Sequence, residues 1–102
     1  MHKFFEFSFE WDPVKAASNY KKHGITFERA ATIFNDPKAL TVFDDDHSRD
    51  EDRWVTLGLD ADTFFVVVHH TYREKGERAA YIRIISARKA TKQEIKQYQE
   101  NG

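Results

Sequence analysis

Two short stretches hold most of the residues able to do chemistry. In Tyr81-Ile82-Arg83-Ile84-Ile85-Ser86-Ala87-Arg88-Lys89, cations interrupt an apolar run. Strand alternation puts Ile82, Ile84 and Ser86 on one face and Tyr81, Arg83 and Ile85 on the other. With the isoleucines in the core, Arg83 stands in the middle of a sheet face, a costly place for a charge without an anionic partner. Arg88 and Lys89 follow at the strand's end. The second stretch, His69-His70-Thr71-Tyr72-Arg73, adds one more arginine and two histidines. Adjacent histidines on a strand point to opposite faces, so they are not a chelating pair. Arginine is always charged and matches phosphate in geometry. Histidine moves protons near neutral pH. A single arginine on a strand is well explained by a cross-strand acid. Several cations meeting on one face suit a phosphate.

RNA is a phosphate ligand that brings its own nucleophile, the 2′-OH. Cleaving it by transesterification needs no metal, no cofactor and no covalent intermediate. It needs a group to take the 2′ proton, a group to protonate the leaving 5′ oxygen, and cations around the phosphorane-like transition state. Arg88, Arg83 and Arg73 are the candidate cations, with His70 or Glu51 for proton transfer. Trp54, Tyr72 or Tyr81 would stack on unpaired bases. Arg53 and Lys89 are the further RNA contacts.

Other chemistries are excluded or poorly supported. There is no cysteine, which removes disulfides, thiolate nucleophiles and Cys-ligated zinc. No Gly-rich phosphate loop, G-x-S-x-G or H-E-x-x-H occurs. The acidic run from Asp44 to Asp52 lacks EF-hand spacing and its central glycine, so it reads as a solvated loop with His47, Glu51 and Arg53 at its edge. His23, after two lysines, complements a helix dipole. The net charge of −1 conceals an asymmetry. Residues 1–62 hold eight Lys/Arg against thirteen Asp/Glu, and residues 63–102 hold eight against four. The basic half is the one that can meet phosphates.

These residues need a scaffold, and 102 residues with 15% aromatics are enough for one domain, 1–102. Phe5 to Trp11 alternates as a strand. Asp12-Pro13 caps a helix that runs to about Lys22 and stops at His23-Gly24. Thr26 caps a second helix with Phe27, Ala30, Ala31 and Phe34 on one face, ended by Asn35-Asp36-Pro37. The period then changes to two, giving strands at Leu40 to Phe43, Arg53 to Leu59, Phe64 to Tyr72 and Ala79 to Ala87. Short polar linkers make these an antiparallel meander. Thr91-Lys92-Gln93-Glu94 is a capping box that opens a last helix bearing Ile95 and Tyr98. The expected class is α+β: an N-terminal strand and two helices, a four-stranded antiparallel sheet, and a C-terminal helix. Helices cover one sheet face and leave the other partly open. No signal peptide is visible at the N-terminus, and the longest apolar run is too short for a membrane.

Three segments in order also resemble a known family. Trp11-Asp12-Pro13-Val14-Lys15-Ala16, followed by Asn19-Tyr20-Lys21-Lys22-His23-Gly24-Ile25-Thr26-Phe27-Glu28, is similar to the opening of the BrnT family. Asp46-His47-Ser48-Arg49-Asp50-Glu51-Asp52-Arg53-Trp54 and the ending Ile82 to Thr91, with Glu94 and Tyr98, continue the likeness. The resemblance implies a RelE-like fold and a toxin of a type II toxin–antitoxin pair. It implies ribonuclease activity that arrests growth, a cytoplasmic setting, and a hetero-oligomer with a neutralising BrnA-type antitoxin. Operator DNA would be reached only through that antitoxin. The motif positions that match best are His70 to Arg73 and Ser86 to Arg88, with Arg83 in the same motif. The doubled His69-His70 departs from the pattern. The alternative reading is a non-catalytic binding module, or a degenerate toxin kept as an antitoxin-binding co-repressor. The near-balanced charge fits that alternative.

Overall fold

In the computed structural model, which describes residues 6–101, one sheet carries helices on both faces. Strands β1 (Glu6–Glu10), β2 (Leu40–Phe43), β3 (Arg53–Leu59), β4 (Phe65–Thr71), β5 (Arg73–Glu74) and β6 (Ala79–Lys89) combine with helices α1 (Pro13–His23), α2 (Phe27–Ala31) and α3 (Lys92–Asn101). The α+β class holds, but the sheet has six strands where four were expected. Its order is β1-β6-β4-β3-β2, with β5 continuing the line of β4 along β6. The extra members have two origins: β1 comes from non-local pairing, and β5 from a short hairpin with the start of β6. The N-terminal strand joins β6 in parallel, Glu10 opposite Arg83. Phe5, expected in that strand, lies outside the described residues.

The local signals explain the helices. Asp12 accepts from the Val14 N–H at 2.8 Å and starts α1, and Gly24, at φ +71°, ends it where a side chain would be strained. The hydroxyl of Thr26 caps α2 through the Arg29 N–H. The second helix is shorter than expected: after Ala31 the chain tightens into a 3-10 turn, Thr32–Asn35.

Alternation sorts the sheet into two faces. Val66, Val68, Ile82, Ile84 and Ala87 pack with Ile25, Phe27, Ala30 and Ile33 in the main core, the inner side. Each fully buried Ile, Val or Phe there stabilises by about 1.5–3 kcal/mol. On the outer side Leu57 and Val67 pack under Tyr98 of α3. The expectation that all helices share one face therefore fails for α3. A local pattern fixes a helix's apolar stripe; it does not say which side of the sheet receives it. Asp36 anchors this end, accepting from the Leu59 N–H at 2.9 Å and the Tyr98 hydroxyl at 2.7 Å. Burial raises its pKa, but these hydrogen bonds outweigh that and hold it below the usual carboxylate value. Gly58 permits the approach: a Cβ there would lie 3.2–3.3 Å from Ala39, Asp36 and Ile33. No helix among the described residues is long and apolar enough to cross a membrane.

Candidate active site

A β-bulge decides what the outer face carries. His69 pairs with Ser86 but His70 pairs with Ile84, so Ile85 is an extra residue in β6. Arg83 and Arg88 are five apart and would point to opposite faces of a regular strand. The bulge resets the alternation and brings both to the outer face. Ser86, expected beside Ile82 and Ile84, moves outward for the same reason, paired with His69.

Arg83 is the centre of the arrangement. Its guanidinium pairs with Glu51, which the acidic loop brings over the sheet. Its backbone N–H donates to the Thr71 hydroxyl at 3.1 Å. Arg73 lies over the Tyr81 ring at 5.2 Å, and Lys75 does so at 4.9 Å. Together with Glu10, Arg83, Glu51, Arg73 and Tyr81 line a cavity of about 260 Å³. Arg53 borders a neighbouring cavity that shares Glu51.

Two residues along β4 from Thr71, on the same face and about 7 Å away by strand geometry, is His69. Its Nδ1 lies 3.8 Å from Asp44, whose carboxylate also accepts from His47 at 2.9 Å. Burial first, then the charge of Arg88, lowers the His69 pKa, partly offset by Asp44. Asp44 is held below the usual carboxylate value mainly by its hydrogen bond with His47.

Arg88 shares the face but its guanidinium is engaged. Glu94 grips it through two bonds, 2.8 and 2.9 Å, while completing the capping box with Thr91. The hydrogen bond from Arg88 is the main reason the Glu94 pKa drops to about 2. Because its native pKa lies below the ordinary value of 4.5, Glu94 stabilises the fold fully above pH 4.5. That contribution is lost as pH falls from 4.5 toward 2. Glu94→Gln should remove an acid-sensitive contribution on the order of 1–2 kcal/mol. The check is urea unfolding of both proteins between pH 7 and 3, where the gap should narrow toward acid.

The remaining sequence candidates lie elsewhere. His70 is 1% exposed on the inner side, edge-on to Phe34 with ring centroids 4.8 Å apart. Its Nδ1–H donates to the Thr71 carbonyl at 2.8 Å, so Nε2 accepts from Thr56 at 2.7 Å and Thr56 accepts from Thr41 at 2.8 Å. Burial lowers the His70 pKa and keeps the ring neutral. It does not reach Arg83. Trp54 pairs with His70 and so faces inward, against Phe43. Lys89 pairs with Val66 and also faces away from Arg88. The structure thus gathers Arg83, Arg73, Tyr81 and Glu51, sets Arg53 and Arg88 at the margins, and separates His70, Trp54 and Lys89. Sequence reasoning missed three residues at this site. His69 was visible as one of two parities. Asp44 sat unremarked in the acidic run. Glu10 reaches Arg83 through a parallel register that no local signal encodes.

Comparison with known proteins agrees with the sequence resemblance. A family model described as "Ribonuclease toxin, BrnT, of type II toxin-antitoxin system" matches residues 11–94. No curated protein matches the sequence. The crystal structure of the Brucella abortus ribonuclease toxin, BrnT, is similar in fold, with a TM-score of 0.57 and 21% identity over 85% of this chain and 99% of that one. The family match takes in the capped helices, the acidic loop, the arginine-bearing strand and the capping box, and on that extent the chain belongs to the BrnT family of ribonuclease toxins of type II toxin–antitoxin systems.

Proposed function

We propose that this chain is a metal-independent endoribonuclease whose scissile phosphate binds on the outer sheet face at Arg83. One observation carries the reading: a carboxylate already rests on that guanidinium, in a cavity that Arg73 and Tyr81 help to line. Glu51 occupies the position of an anion and, once displaced by phosphate, lies beside it as a base. In the proposed reaction the 2′-OH gives its proton to Glu51 and its oxygen attacks phosphorus. The bond from phosphorus to the 5′ oxygen breaks, and that oxygen takes a proton from the His69 imidazolium. The products are a 2′,3′-cyclic phosphate and a 5′-hydroxyl. Arg83 and Arg73 neutralise the charge that builds on the phosphoryl oxygens. His69 takes the part that sequence alone gave to His70, with Asp44 behind it. Its lowered pKa makes it a strong proton donor in the fraction that is protonated.

The wider reading follows the family. Cutting RNA arrests growth in the cytoplasm, a BrnA-type antitoxin neutralises the toxin in a hetero-oligomer, and operator DNA is reached through that antitoxin. Kinship of the fold to RelE belongs to the same proposal. Purified protein should cleave single-stranded RNA at an undiminished rate in EDTA and leave cyclic phosphate ends. Cleavage abolished by EDTA, or products with 5′-phosphates, would overturn the mechanism. Binding without any cleavage would favour the co-repressor reading.

A further inference from the structure

We propose that an apolar slot on the inner side of the sheet, walled by Trp54 and Tyr72, is a base subsite that holds one unpaired nucleobase of the RNA; the inference rests on the ribonuclease reading and deepens it. The slot has a volume of about 200 Å³ and is lined by Thr41, Trp54, His70 and Tyr72. Its chemistry follows from the hydrogen bonds behind it. Thr41 gives its proton to Thr56, Thr56 to His70, and His70 to the Thr71 carbonyl. The two threonine hydroxyls and the imidazole are thus spent on one another and on the backbone, and the slot is left mainly apolar. A nucleobase held there gains aromatic stacking and finds no partner for its edge. The slot therefore takes any base of suitable size, and only one freed from pairing.

Two observations make RNA the occupant. Tyr72 lines both this slot and the cationic cavity around Arg83, so the two sites meet at a single residue. A nucleotide has that shape: a flat apolar base joined through one sugar to an anionic phosphate. The wall is also accessible. Tyr72 is 39% exposed, and Phe43, edge-on to Trp54 at 5.0 Å, is 42% exposed. The phosphate would sit at Arg83 on the outer face while the base turns around the end of β4 into the slot. This gives the inward-facing Trp54 a role in RNA contact.

The test uses a short 2′-O-methyl RNA, which lacks the nucleophile and cannot be cut. In a Trp11→Phe background Trp54 is the sole tryptophan, since the chain has two. The single strand should quench Trp54 emission, and the same strand in a duplex should not. Tyr72→Ala should weaken single-strand binding roughly tenfold with unchanged thermal unfolding, and Tyr72→Phe should bind like the parent. Binding seen by anisotropy with Trp54 emission unchanged, or Tyr72→Ala binding at parental strength, overturns the slot and leaves the ribonuclease reading standing. No binding together with no RNA cleavage overturns both. Tyr72→Ala that binds and cuts RNA normally but escapes the antitoxin assigns the slot to a protein side chain, which also overturns the proposal.

Discussion

Arg83→Ala is expected to lower RNA cleavage by about two to three orders of magnitude, the usual cost of removing one well-aimed donor from a transition state. Its fold should survive, because Ile82 and Ile84 hold the strand from the opposite face and the Arg83 side chain is 41% exposed. Arg83→Lys keeps the charge and loses the planar fork, so it should recover only part of the rate. Glu51→Gln separates the two roles of the carboxylate. It removes the competitor for Arg83, so KM should fall, and it removes the base, so kcat should fall as well. Arg88→Ala should behave differently. Its guanidinium is committed to Glu94, so the variant should loosen α3 and lose stability before it loses chemistry. Steady-state cleavage and urea unfolding of these four variants give the ordering. Wild-type turnover by Arg83→Ala would move the site away from this face.

The contrast between Arg83 and Arg88 shows what could be read from the chain. Caps are local, so Asp12-Pro13, Gly24, Thr26 and Thr91 to Glu94 announced the helices correctly. Alternation is local too, and it put Arg83 opposite the core side. One unpaired residue, Ile85, reverses the count beyond it and changes the faces of Ser86 and Arg88. Nothing in an Ile-Ile-Ser run marks a bulge, since each of those residues suits a regular strand. The doubled histidine was ambiguous for a related reason: parity says that they differ, and only packing says which one faces inward. Pairings across long stretches of chain were invisible. β1 meets β6 in parallel, and Tyr98 reaches Asp36 over sixty-two residues. The first of these pairings brings Glu10 into the cavity wall, so the cations of the site and Glu51 were legible while Glu10 was not.

Asn19→Ala is expected to destabilise the protein by about 3 kcal/mol, although Asn19 touches no part of the proposed site. The reason lies where β1 stops. Its pairing with β6 ends at Glu10 and Arg83, which leaves the backbone of Ala87 without a strand neighbour on that edge. Asn19, 7% exposed on α1, takes the missing strand's place. Its amide donates to the Ala87 carbonyl at 3.0 Å and accepts from the Ala87 N–H at 3.0 Å, and it also donates to the Ile25 carbonyl at 3.1 Å. Truncation strands three buried backbone groups, each costing about 1–3 kcal/mol if water does not reach it. For a domain of this size that corresponds to a fall in Tm of roughly 10–20 °C. Asn19→Asp tests the geometry with the same shape. The carboxylate can still accept from Ala87 but repels the two carbonyls and buries a charge, so it should be no better than alanine and should recover as pH falls. Ala87 lies between Ser86 and Arg88, directly after the bulge that turns both outward. Loss of Asn19 should therefore also blunt RNA cleavage at temperatures where the variant is still folded, because it frees the strand segment whose register sets the outer face. Thermal unfolding at pH 7 and 5, with cleavage assayed well below Tm, measures both effects; an Asn19→Ala protein as stable as the parent would show that β6 holds its bulge unaided.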